Sequence, residues 1–158
     1  MKLYLKLYFP IMVLFLAGCT QDFSEEYNNK PNFDDTLEFS KSAYFTDIIG
    51  SEVLFLDNKS EPSKAGKEIL NSQASWLLKS DDYLIVIEGH TDEKGTRDYN
   101  LSLGAKRASV IKDFYILNGI EEAKITIITY GKERPKYVCS SDECHSKNRR
   151  TITILKSQ

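Results

Sequence analysis

Apolar positions along this chain switch between short runs and helical stripes, and each switch marks an element. Val53-Leu54-Phe55-Leu56 is an apolar run after Glu52 that ends in the turn formers Asp57-Asn58, which predicts a first strand. Pro62 follows Ser60-Glu61 and suits the first turn of a helix. Leu70, Ala74, Leu77 and Leu78, flanked by Ile69 and Trp76, then give that helix an apolar stripe to about Lys79. Tyr83-Leu84-Ile85-Val86-Ile87 is apolar on both parities, as a central strand covered on both faces would be. A polar, glycine-bearing loop from Gly89 to Arg97 leads into a second helix from about Asp98 to Leu117, with Leu103, Val110, Phe114 and Leu117 on one stripe and Ile111 beside it. Asn118-Gly119 ends it as a left-handed cap. Ile125 to Tyr130 is a β-branched third strand, the stretch Gly131 to Lys147 is long and polar, and Arg149 to Leu155 alternates as a last strand. The order β-α-β-α-β-β predicts an α/β two-layer sandwich of the α+β kind, with helices on one face of a mixed sheet.

Ahead of this domain the pattern is different. Lys2 and Lys6 precede an apolar stretch from Leu7 to Ala17, too short to span a membrane, so residues 1–18 read as an export signal. Leu16-Ala17-Gly18-Cys19 resembles the bacterial lipobox, in which the cysteine thiol receives a diacylglycerol and becomes the new N-terminus. Residues 19–50 then form the lipidated terminus and a flexible, acidic tether, and residues 51–158 the folded domain. Thr20 stands where many lipoproteins retained in the inner membrane carry aspartate, which places the anchor in outer-membrane lipid and the domain in the periplasm.

Charge and cysteines narrow the class. Loss of Lys2 and Lys6 with the signal takes the formal net charge from −2 to −4, so nothing favours nucleic acid. With Cys19 lipidated, Cys139 and Cys144 remain as an even pair in an exported protein, which suits a disulfide. Zinc on Cys139, Cys144 and His145 is the other reading, although the spacing lacks the usual paired pattern. No cofactor besides the covalent lipid is expected.

The chemistry concentrates at Asp92 and Arg107. Asp92 follows the central strand in a polar loop, and Arg107 lies fifteen residues on, on the second helix beside Leu103 and Val110, at the margin of its apolar stripe. A guanidinium fork suits a carboxylate and an aspartate suits an ammonium, so one pocket with both suits a zwitterion. The competing reading is a structural Asp92–Arg107 salt bridge with no ligand. His90, His145 and Asp92 do not make a hydrolytic triad, because no serine sits in a nucleophile-elbow setting. His90 is expected to bond the loop backbone from a strand end, and adjacent Arg149 and Arg150 are expected to point to opposite faces.

Several motifs then occur in order: Gly89-His90-Thr91-Asp92, Gly95-Thr96-Arg97-Asp98-Tyr99-Asn100, Leu101-Ser102-Leu103-Gly104-Ala105-Lys106-Arg107-Ala108, Tyr130-Gly131-Lys132-Glu133-Arg134-Pro135 and Asn148-Arg149-Arg150. Over roughly residues 51–156 the chain resembles the OmpA-like peptidoglycan-binding domain family, and within it the wall-associated lipoproteins. The resemblance implies a non-enzymatic binder of peptidoglycan in which Asp92 and Arg107 hold the diaminopimelate of the stem peptide, with Thr91, Asn100 and Arg150 shaping the same pocket. It also implies TolB and other Tol proteins as partners and a role in envelope constriction at division. The alternatives are a generic wall-binding lipoprotein without a Tol role and, in another class, an envelope hydrolase. One departure stands out: related first strands usually read Phe-Asp-x-Asp-Lys, whereas this chain has Phe55-Leu56-Asp57-Asn58-Lys59, with Leu56 at the pocket wall.

Overall fold

The computed structural model describes residues 41–157 apart from 81 and 139. The export signal, Cys19 and most of the tether therefore lie outside the described residues, as does Cys139, one end of the expected disulfide with Cys144. The domain carries strands β1 (Glu52–Leu54), β2 (Tyr83–His90), β3 (Ile125–Gly131) and β4 (Arg150–Ser157), and helices α1 (Lys64–Leu77), α2 (Arg97–Leu117) and α3 (Asp142–Asn148). The sheet order is β1-β4-β2-β3. β2 pairs in parallel with β3 and antiparallel with β4, and β1 pairs antiparallel with β4, so the sheet is mixed as expected.

Local chemistry explains where the helices start and stop. Ser63 Oγ accepts from Gly66 N at 3.0 Å, and Thr96 Oγ1 accepts from Tyr99 N at 3.3 Å, each satisfying an amide that the first helical turn leaves unpaired. α2 ends where Gly119 takes φ +97°, and Ile120 N reaches back to Tyr115 O at 3.1 Å, the closure that a left-handed residue permits.

α2 approaches the sheet closely at two glycines. A Cβ on Gly89 would fall 2.0 Å from Gly104 O, and one on Gly104 would fall 2.5 Å from Thr129 Oγ1. That approach turns a different face of α2 inward from the one its large apolar residues suggest. The buried face is Asn100, Gly104, Arg107, Ala108, Ile111 and Tyr115, whereas Leu117 is 85% exposed. Leu103, Val110 and Phe114 are only partly buried, and Val110, Phe114 and Leu117 instead line an apolar cleft beside α1. Helix α1 buries Leu70, Ala74 and Leu77 as its stripe predicts, whereas Leu78, the fourth residue of that stripe, is its exposed C-cap. Between the layers, Tyr115 Oη donates to Gln73 Oε1 at 2.8 Å, and Gln73 Nε2 donates to Gly50 O at 2.6 Å, so these two buried side chains are partnered.

Three boundaries differ from the sequence reading. Residues 41–44 are helical and Phe45–Gly50 form a π-helical segment, so the folded unit begins before Ser51. Phe45 is fully buried with its ring 5.1 Å from that of Trp76, so it anchors this segment in the core. The polar stretch after β3 contains α3, capped by Ser141. It is tied down by the buried Asn148, whose Oδ1 accepts from Lys136 N and Tyr137 N while its Nδ2 donates to Tyr137 O. Finally, β4 begins at Arg150, which leaves Arg149 outside the ladder as the C-cap of α3.

Candidate functional site

The register between β2 and β3 shifts between Gly89 and His90, and the chain leaves the sheet there into the loop of Asp92. Thr91 is buried: its amide donates to Gly131 O at 2.9 Å and its hydroxyl to Asp92 O at 3.0 Å. Asn100 Nδ2 bonds Lys94 O and Thr96 O, at 2.8 and 3.0 Å, and Lys132 Nζ donates to Gly95 O at 2.6 Å. Thr91 and Asn100 thus shape the loop through its main chain. The Asp92 carboxylate stands on this fixed loop and the residue is 6% exposed.

Its ion-pair partner is Arg149, whose Nη1 donates to Asp92 Oδ2 at 3.0 Å and lies 3.6 Å from Asp57 Oδ1. Arg107 is fully buried, not marginal as its helical position suggested. Its Nε donates to Lys59 O at 2.9 Å, Nη1 to His90 O at 2.9 Å and Nη2 to Leu56 O at 3.3 Å. The guanidinium lies 5.3 Å from the centre of the Phe55 ring. Burial first of all pushes its pKa down to about 10; Asp92 pulls it up and Arg149 pushes it down, and the group stays charged at neutral pH. Arg107 therefore braces the β1–α1 loop, which carries Asp57, against the end of β2, which leads to Asp92. Two guanidinium groups and two carboxylates meet within one small region of a sheet end.

Arg150, named with this site by its motif, belongs to another group of charges. It is 5% exposed, its Nε lies 3.8 Å from Glu52 Oε1, and it donates to Asn148 O and Arg134 O at 3.4 Å. Beside Asp92 stands Arg149, one residue earlier, the C-cap of α3 and not a residue of the ladder, so strand alternation does not account for its direction.

His90 does not bond the loop through its ring. Both ring nitrogens are buried without a hydrogen-bond partner among the described residues, although Nε2 comes within 3.4 Å of Glu88 Oε2 at poor geometry. Burial, reinforced by Arg150 and Arg134, pushes its pKa down to about 4. The folded protein thus holds this histidine neutral while the unfolded chain protonates near pH 6.5. Stability from this group is full above pH 6.5, falls as pH drops toward 4 and levels off below. Circular dichroism melts should show that slope for the wild type and a flatter one for His90→Phe over the same window; equal slopes would contradict it.

Beside the pocket, a cleft of about 520 Å³ is lined by Asn58, Lys59, Ser60, Glu61, Tyr99, Ser102, Leu103 and Lys106. It shares the β1–α1 loop with Asp57 and runs along α2 past Tyr99, Ser102, Leu103 and Lys106. The apolar cleft beside α1, about 390 Å³, has a single lysine and a single aspartate on its wall and lacks such a charge cluster.

The model of the OmpA family matches residues 54–149. A peptidoglycan-associated lipoprotein of Rhizobium meliloti (strain 1021) is 38% identical over 152 residues, covering 92% of this chain and 84% of that protein. One from Mesorhizobium japonicum is 44% identical over 111 residues, covering 70% of this chain and 66% of that protein. Among solved structures, the peptidoglycan-associated lipoprotein from Burkholderia pseudomallei is similar at a TM-score of 0.63 and 29% identity, over 67% of this chain and 90% of that one. The C-terminal domain of Helicobacter pylori MotB shares the fold at a TM-score of 0.62 with 19% identity, over 68% of this chain and 84% of that one.

Proposed function

This chain belongs to the OmpA family, among the peptidoglycan-associated lipoproteins, and from that premise we propose that it binds peptidoglycan without cleaving it and links the wall to the outer membrane. The observation that carries the reading is the near-buried Asp92 carboxylate, fixed by its loop beside Arg149 and Arg107 at one end of the sheet. Such a pre-set arrangement of charge suits an ammonium and a carboxylate on one carbon, which the diaminopimelate of a stem peptide offers. Each charge-assisted bond contributes roughly 1.5–3 kcal/mol, so two with backbone contacts give about micromolar binding. Arg107 keeps unspent N–H groups on its terminal nitrogens and holds the pocket floor, while Thr91 and Asn100 hold its loop. Arg150 supports the neighbouring loop through Arg134 O.

The test is co-sedimentation of the purified protein with washed sacculi. Recovery in the pellet, reversed by soluble diaminopimelate-containing stem peptide, supports the reading; retention in the supernatant ends it.

The finer reading adds the Tol system, with TolB as partner, and a role in constriction at division. Tagged TolB should co-purify with the protein from envelopes; loss of that partner alone leaves a generic wall-binding lipoprotein. The anchor rests on Leu16 to Cys19. Stable anchoring needs more than one acyl chain, so intact mass of the mature N-terminus should exceed a single acyl addition, and Cys19→Ser should release the protein from the membrane fraction or leave it uncleaved.

A further inference from the structure

We propose that Arg149 is the specificity-determining residue of this site: an internal counter-ion, clamped by Asp92 and Asp57, that selects zwitterions over simple amines because only a zwitterion compensates for displacing it. The proposal rests on the wall-binding reading above and assigns the ligand's charge pattern to particular side chains.

Arg149 differs from Arg107 in what holds it. Arg107 is fully buried and all three of its nitrogens bond main-chain carbonyls, so it cannot move without releasing the β1–α1 loop and the end of β2. Arg149 has a fixed backbone, since its amide reaches His145 O at 3.2 Å and its carbonyl accepts from Phe55 N at 2.8 Å. Its guanidinium is held only through Nη1, and its Nε is buried without a hydrogen-bond partner among the described residues. The side chain therefore has donor capacity to spare and few contacts to break.

The two carboxylates are unequal. The Asp92 side chain is 9% exposed and close at 3.0 Å, whereas that of Asp57 is 65% exposed and looser at 3.6 Å. Asp57 nevertheless sits on a pinned turn. Arg107 bonds the carbonyls of Leu56 and Lys59 on either side of it, Tyr99 Oη bonds Asn58 Oδ1, and Asn58 takes the left-handed φ of +51°. Both carboxylates favour the charged forms of Lys94 and of Arg107, so both lie near the same two cations.

An ammonium that settles on Asp92 competes with Arg149, which holds Oδ2, for the charge of one carboxylate. If the ligand carries no carboxylate, a guanidinium is left in a nearly closed site with one weak partner, and an unpaired buried charge costs more than a lost bond. A ligand with a carboxylate on the same carbon gives Arg149 a replacement at its terminal nitrogens, of which the carboxylates of Asp92 and Asp57 engage Nη1. The number of ion pairs is then maintained, and cations without that carboxylate are rejected.

The experiment uses the full mature lipoprotein in detergent and titration calorimetry with two stem peptides. Both end in diaminopimelate; in one the carboxylate beside the free amino group is intact, and in the other it is a carboxamide. The wild type should prefer the carboxylate form by about tenfold or more. Arg149→Gln should bring the two within about threefold, by weakening the carboxylate form and not the carboxamide. Arg149→Lys keeps the charge but not the fork, and should retain a reduced preference. A purely structural role would weaken both peptides alike in either variant. That result, or an undiminished preference in Arg149→Gln, overturns the assignment. A wild type that binds neither peptide overturns the wall-binding reading itself, and this inference with it.

Discussion

Arg107→Ala is expected to lower the stability of the domain by about 3–5 kcal/mol, the range found when one partner is removed from a buried charged network. Three carbonyls lose their donor at once, those of Leu56, Lys59 and His90, and the bond to His90 O is fully buried. The void left against Phe55 adds to the loss. Denaturant unfolding followed by circular dichroism measures it directly. Arg107→Lys should recover only part, because an ammonium is a point charge and cannot reach three carbonyls set around a planar fork. Helical position alone put Arg107 at the margin of an apolar stripe, whereas the structure buries it completely. A loss below about 1 kcal/mol would mean that the loops hold themselves and that the brace is incidental.

Asp92→Asn is the matching test of binding. Asparagine keeps the size of aspartate and removes its charge, so the loop built by Thr91 and Asn100 should stay in place. Arg149 then keeps only Asp57, at 3.6 Å and half in solvent, and the ligand's ammonium loses its closest carboxylate. The loss of one charge-assisted bond in a nearly closed site corresponds to about ten- to hundredfold in affinity. Sacculus co-sedimentation should fall accordingly while the far-ultraviolet spectrum is unchanged. Undiminished sedimentation of a folded Asp92→Asn protein would place the wall contact elsewhere on the domain.

How much of this was legible in the chain depended on which residues carried the signal. β2 and α1 were readable because Ile85, Ile87, Leu70 and Leu77 are both apolar and buried. The end of α2 was readable because Gly119 does the one thing glycine does more easily than other residues. The inward face of α2 was misread because it is built from Asn100, Gly104 and Arg107, which no apolar count weights, and it is set by the approach of Gly104 to Gly89. α3 was missed because seven polar residues show no stripe; a serine cap and the side chain of Asn148 hold it. At the site, the loop motif pointed to Asp92, Thr91 and Asn100, and the structure brings the three together around one loop. Arg149 was passed over for Arg150 because the boundary of β4 falls between them, which leaves Arg149 outside the ladder.

The brace at Arg107 also bears on mechanics. Lys41 lies 3.2 Å from Asp82, beside the start of β2, while Asp92 stands beyond its other end. A protein held by lipid at one side and by the wall at the other would be stretched between those points. Tension entering at residue 41 would run through the segment locked by Phe45, lengthwise along β1, and into the loop of Asp57. From there Arg107 would hand it across to His90 and the loop of Asp92. The bonds of the β1–β4 ladder lie across that pull, so they would be sheared together and not opened one after another. Arg107 would then be the rivet through which the load crosses from one strand to the next.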